Sequence, residues 1–156
     1  MQYLMSDNGK QPVIVCADDD ADDRMLVQDA FEEAGMSDLL KFVEDGEQLL
    51  DYLTHKNGFT ADNAPPPDVI LLDLNMPRKD GREALAEIKR DATLRRIPVI
   101  ILTTSKAIED VSRSYDLGAS GFITKPVSYE GLVDAARILR KYWFEIAELP
   151  STRNGT

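Results

Sequence analysis

One cysteine, one histidine and only 18 lysines and arginines against 28 acids set the first limits on this 156-residue chain. A lone Cys16 closes no internal disulfide, and its place in an apolar run reads as a small buried hydrophobe rather than a reactive thiol. With a net charge of −10 and no run of Lys and Arg, long-range steering repels nucleic acid and anionic membranes, so neither is an expected partner. No apolar stretch approaches the length of a membrane span, and "MQYLMSDNGKQ" lacks the long apolar core of a secretory signal. His55, beside Lys56 in a polar stretch, reads as a solvated side chain. These absences point to a soluble, cytoplasmic, single-domain protein that is long enough to bury a substantial core.

What is present is an alternation of short apolar runs with amphipathic helical patterns, the signature of βαβ units and a parallel sheet. Strands are expected at "VIVCA" (13–17), "LLKFV" (39–43), "DVILLD" (68–73), "PVIILT" (98–103) and "GFIT" (121–124). The first helix starts near Asp22, carries Val27, Ala30, Phe31 and Ala34 at helical spacing, and stops at Gly35. Asp45 reads as the cap of the second, with Gln48 three residues on and Leu49, Leu50 and Leu53 along one face. The third runs from Gly81 with Leu85 and Ile88 inward, and Ile108, Val111 and Tyr115 mark a fourth closed by Gly118. The last, capped by Ser128, runs from Tyr129 to about Leu149. The loop 55–67 is rich in Gly, Asn and Pro, and its triple proline should be stiff and extended. The domain is placed at 12–149, with flexible ends at 1–11 and 150–156. Right-handed crossovers put helices on both faces of the sheet, a doubly wound α/β domain.

In such a sheet, sites form outside the carboxyl ends of the strands. There the apolar runs end in Asp18-Asp19, in Asp73, in Thr103-Thr104 and in Lys125-Pro126. Clustered carboxylates repel one another, and a hard divalent cation relieves them; oxygen-only ligands select Mg²⁺. Asp73 can then serve as a nucleophile toward a phosphoryl group, with Lys125 and Thr103 contacting the phosphoryl oxygens. Taken singly, Thr103 reads as a strand-end hydroxyl, Lys125 as a surface lysine and Asn75 as a turn former. Asp20, Asp22 and Asp23 read as solvated helix-start acids. The joint placement on separate strand ends is what carries the signal.

Four ordered stretches, "CADDD", "LLDLNMPRKDG", "PVIILTTS" and "GASGFITKP", resemble the receiver domains of bacterial two-component response regulators, over roughly residues 12–142. The resemblance implies the flavodoxin-like strand order 2-1-3-4-5. It implies that Asp73 accepts a phosphoryl group from a histidine kinase, and that Asp18 and Asp19 hold Mg²⁺, Asp19 directly and Asp18 often through water. It further implies that Asn75 lends its main-chain carbonyl to the metal, that Thr103 moves toward the phosphate, and that Lys125 contacts it. The Lys125-Pro126 peptide is commonly cis in this family. Three positions depart from the common pattern: Asp18 where Glu is frequent, Phe122 where some members carry Tyr, and Thr104 where a small Ala is usual.

Only "PSTRNGT" follows Leu149, so the expected protein signals in trans, through a face made by the fourth helix, fifth strand and fifth helix. The loop "TADNAPPP" and the stretch after Asn75 are similar to single-domain regulators paired with phytochrome-type sensor kinases. Leu132, Ala136, Leu139, Trp143 and Ile146 follow 4-3-4-3 spacing, and the sheet needs only the first turns, so Trp143, Phe144, Ile146 and Leu149 call for another cover: the domain itself, a homodimer seam or a kinase-docking surface. Two other readings stand beside this one. One is a phosphorylation-independent interaction module. The other is an Mg²⁺-dependent aspartyl phosphohydrolase, disfavoured because Asn75 stands where such enzymes place a second acid.

Overall fold

The computed structural model describes residues 13–36, 40–104, 108–125 and 128–141. Five strands and five helices alternate along them: β1 Ile14–Ala17, α1 Ala21–Glu33, β2 Leu40–Val43, α2 Gly46–Thr54, β3 Val69–Leu72, α3 Gly81–Arg90, β4 Val99–Thr103, α4 Ile108–Asp116, β5 Gly121–Thr124 and α5 Tyr129–Lys141. A single 3₁₀ turn, Leu94–Arg96, leads into β4. All strand pairs are parallel and the order is β2-β1-β3-β4-β5, as the resemblance implies.

The continuous apolar runs of β1, β3 and β4 follow from burial on both faces. Alternate residues of one strand serve different cores. Val15, Ala17, Ile70, Leu72 and Ile101 pack with Leu49, Leu85 and Ile88 of α2 and α3. Ile14, Cys16, Leu71, Ile100 and Leu102 pack with Val27 and Phe31 of α1 and Ala136 and Leu139 of α5. Burying one such Leu or Ile side chain contributes about 1.5–3 kcal/mol. Cys16 is buried, and that burial holds its thiol well above the ordinary value.

Local signals set the helix ends. Asp20 caps α1 by accepting from the Asp22 and Asp23 amides at 2.8 and 3.2 Å. Asp45 caps α2 by accepting from the Gln48 amide at 2.8 Å, and the Gln48 side chain accepts in turn from the Glu44 amide. Asp80 and Glu83 form a full capping box on α3. Gly35 turns the chain out of α1 at φ +82°, a conformation that a side chain disfavours.

Two expectations are corrected. Tyr115 does not face inward but is 50% exposed. Its neighbour Ser114 is buried instead and bonds back to the Asp110 carbonyl, and Leu117, just past the end of α4, packs against the core. His55 is exposed, but it also ends α2 in the left-handed region at φ 55°, and its Nε2 lies 2.8 Å from the Ala64 carbonyl. With the Tyr52 hydroxyl donating to the Pro65 carbonyl at 2.8 Å, it ties the proline loop to α2. Leu132, Ala136 and Leu139 are buried in the domain's own cores, as expected for the turns that cover the sheet. Trp143, Phe144, Ile146 and Leu149 lie outside the described residues.

Candidate functional site

The backbone ladder continues past the strand ends and brings the polar residues together. Asp18 N–H donates to the Val43 carbonyl at 3.0 Å, Asp73 N–H to the Ala17 carbonyl at 3.0 Å, and Lys125 N–H to the Thr103 carbonyl at 2.7 Å. Asp18, Asp73, Thr103 and Lys125 therefore occupy neighbouring rungs on one edge, where the alternating pattern places them.

The side chains converge on Asp73. Its Oδ1 accepts from the Thr103 hydroxyl at 3.0 Å and from the Asn75 amide at 3.2 Å. Its Oδ2 accepts from Lys125 Nζ at 3.2 Å. The same ammonium donates to Asp18 Oδ2 at 2.6 Å and to Asp23 Oδ2 at 3.0 Å. Asp18 is buried; the Asp20 amide donates to its other oxygen at 3.0 Å, and the Arg24 guanidinium donates to its main-chain carbonyl at 2.7 Å. Among the described residues no buried side-chain polar atom lacks a partner.

Burial pushes the Asp18 carboxyl above its ordinary range, against the opposing pull of the Lys125 hydrogen bond and the Asp20 amide. Burial also works against charge on Lys125. Its hydrogen bond to Asp18 and the charges of Asp73 and Asp18, with the bond to Asp23, outweigh that effect and hold the ammonium above the ordinary lysine value. Lys125 is thus a fixed cation at neutral pH.

The turn after Asp73 is locked from two sides. Gly81 N–H donates to the Leu74 carbonyl at 2.9 Å, and a Cβ at Gly81 would overlap the Asp73 carbonyl oxygen. Gly46 N–H donates to the Lys79 carbonyl at 2.9 Å, and a Cβ there would overlap that oxygen. Both glycines are required by close backbone approach. Arg78, at φ 64°, completes the attachment through a 2.6 Å ion pair with the buried Asp45 at the start of α2.

Of the residues singled out in the sequence, Asp18, Asp73, Thr103 and Lys125 meet directly, and Asn75 meets Asp73 through its amide. Asp19 is exposed and stands apart. Among the described residues, the carboxylates that each bring one oxygen within 4.8 Å of the others are Asp18, Asp23 and Asp73. Asp23 was read as a solvated helix-start acid, and that reading is incomplete. It sits in the first turn of α1, but its side chain reaches Lys125. Its position five residues after Asp18 was the available signal, and only the docking of α1 gives it meaning. Thr104 is exposed and Phe122 half-buried, while Pro126, and with it the Lys125-Pro126 bond, lies outside the described residues.

The donor set is all oxygen, crowded and partly desolvated, which fits a hard divalent cation. With a nucleophilic carboxylate, a fixed ammonium and a hydroxyl in contact, it fits phosphoryl chemistry as well.

Comparison with known proteins follows the same line. The family model described as response regulator receiver domain matches residues 14–137. Response regulator Rcp1 of Synechocystis sp. is 38% identical over 148 residues, covering 94% of this chain and 99% of its own. The Mn²⁺-bound form of Rcp1 superposes with a TM-score of 0.78 at 36% identity, covering 90% of this chain and 99% of that one. The phosphorylated cyanobacterial phytochrome response regulator RcpA has a TM-score of 0.82 at 40% identity, over 90% of this chain and 99% of that one. RPA3017, a response regulator in red light signalling of R. palustris, has a TM-score of 0.85 at 38% identity with the same coverage.

Proposed function

Because the chain belongs to the response regulator receiver domain family, whose members are signalling proteins rather than classical enzymes, we propose that it accepts a phosphoryl group on Asp73 from a histidine kinase. The observation that carries this reading is the pairing of both Asp73 oxygens, Oδ1 with Thr103 and Oδ2 with Lys125.

In the proposed transfer an Asp73 oxygen attacks phosphorus, the P–N bond to the donor histidine breaks, and the ring nitrogen keeps the electron pair. Lys125, held cationic by its acidic neighbours, meets the phosphoryl charge, and the Thr103 hydroxyl donates to a phosphoryl oxygen. Receiver domains bind divalent metal, as Mn²⁺-bound Rcp1 illustrates, and for this chain we assign Mg²⁺. Asp18, Asp73 and the Asn75 main-chain carbonyl would hold it, with Asp19 joining by turning inward from its exposed position. Bound there, the ion supplies charge neutralisation for the incoming phosphoryl group.

The output is assigned to the face formed by α4, β5 and α5, whose conformational equilibrium the phosphoryl group would shift through Thr103 and Lys125. The similarity to RcpA and RPA3017, named for phytochrome and red-light signalling, supports a phytochrome-type kinase as donor. Dimerisation through the end of the C-terminal helix is the proposed assembly.

Intact mass after incubation with acetyl phosphate and Mg²⁺ tests this. One added phosphoryl group is expected, absent without metal and absent in Asp73→Asn, and the same samples on a sizing column report the dimer. An unmodified mass with a histidine-kinase donor as well would sink the phosphoacceptor reading in favour of the interaction module.

A further inference from the structure

The phosphoacceptor set leaves Asp23 without a task, yet its carboxylate accepts a 3.0 Å hydrogen bond from the lysine on which that set depends. A lysine ammonium has three donors and no acceptor. Here the three meet Asp18, Asp23 and Asp73 at 2.6, 3.0 and 3.2 Å, and the longest bond is the one to Asp73. The Lys125 side chain is only 8% exposed, so water has little access to replace a lost acceptor. The acceptors come from separate elements: Asp18 from the end of β1, Asp73 from the end of β3, and Asp23 from the first turn of α1. Asp23 is not needed to start its helix, because the cap is the Asp20 side chain bonding the Asp22 and Asp23 amides.

We propose that Asp23 is a positioning residue that holds the Lys125 ammonium toward α1 and so limits how fully Lys125 engages a group carried on Asp73. The inference deepens the phosphoacceptor reading and rests on it. Two opposite effects follow from removing the Asp23 charge. Cation binding weakens, since one carboxylate leaves the cluster and Lys125 settles harder on Asp18 and Asp73, where it competes with the metal. Binding of an anionic phosphoryl mimic strengthens, since Lys125 is released toward it and a repelling charge is gone. General damage to the site would weaken both.

Asp22 supplies the control. It is a first-turn acid beside Asp23, exposed to the same helix dipole, and Lys125 bonds to Asp23 rather than to it. The full chain and its Asp22→Asn, Asp23→Asn and Asp23→Glu variants are titrated calorimetrically with MgCl₂, then with beryllofluoride at saturating Mg²⁺. Relative to Asp22→Asn, Asp23→Asn should bind Mg²⁺ about threefold to tenfold more weakly and beryllofluoride more tightly by a similar factor, as expected for one charge removed at contact distance. Asp23→Glu should return both constants toward those of the unaltered chain. Equal constants for Asp23→Asn and Asp22→Asn, or a parallel loss of both ligands in Asp23→Asn alone, would overturn the role of Asp23. An unaltered chain that binds neither probe would overturn the phosphoacceptor reading, and the inference with it.

Discussion

The two halves of the sheet are built differently. Every residue of β1, β3 and β4 is buried, whereas every residue of β5 is half-buried, and beside it α4 presents Tyr115 at 50% exposure. The tightly packed half carries the acids. The looser half carries Lys125, whose ammonium crosses to those acids. A close-packed core resists gradual deformation, while an edge with fewer buried contacts opens at lower cost. The division shows what joins the two: Asp73 is tied to the β5 edge through Lys125, which follows that strand, and to β4 through Thr103 at its end.

Cutting that tie should give the largest effect on stability. Lys125→Ala leaves Asp18 and Asp73 without their cation and should cost about 3 kcal/mol, the lower end for a broken buried pair because Asp18 can take up a proton. Hydrogen exchange should show β5 amides losing more protection than those of β1 and β3; uniform loss would contradict the division. Next comes packing. Ile101→Ala, at a fully buried position of β4, should cost about 2–3 kcal/mol, and Ile123→Ala in half-buried β5 about half as much, read from denaturant midpoints. Equal costs would erase the distinction between the halves.

A smaller effect depends on pH. The Asp18 carboxyl is raised in the folded state, so it favours folding below the ordinary aspartate value of about 3.9 and loses that contribution as pH rises through its folded value. Asp18→Asn has no such loss. Its melting temperature relative to the unaltered chain should therefore climb as pH rises from about 4 toward neutrality. A difference that stays flat with pH would contradict the burial cost at Asp18. Tyr115→Ser should be nearly silent, within about 0.5 kcal/mol, because the ring covers no core. A larger loss would mean that α4 is held more firmly than its exposure indicates.

Much of this was legible in the chain. The run "PDVILLDLNMPRKDG" announces a buried strand that ends in an acid, and Asp45 with Gln48 announces a capped helix. Both are local signals, written in periodicity and capping over a few residues. The rotation of α4 was not legible, because Tyr115 and Ser114 differ by one position and Tyr is the more apolar. The small buried hydroxyl of Ser114 satisfies itself on the Asp110 carbonyl, which lets that face turn inward.

Local pattern, together with the right-handedness of crossovers, accounts for the alternation of elements, the apolar strands and the acids, hydroxyl and lysine at their carboxyl ends. Long-range packing sets that Asp23 rather than Asp19 reaches Lys125, and that Gly46 and Arg78 clasp the turn after Asp73. Those outcomes join residues 102 and 33 positions apart. They follow from how α1 and α2 settle on the sheet and its loops, a geometry that no local run of side chains encodes.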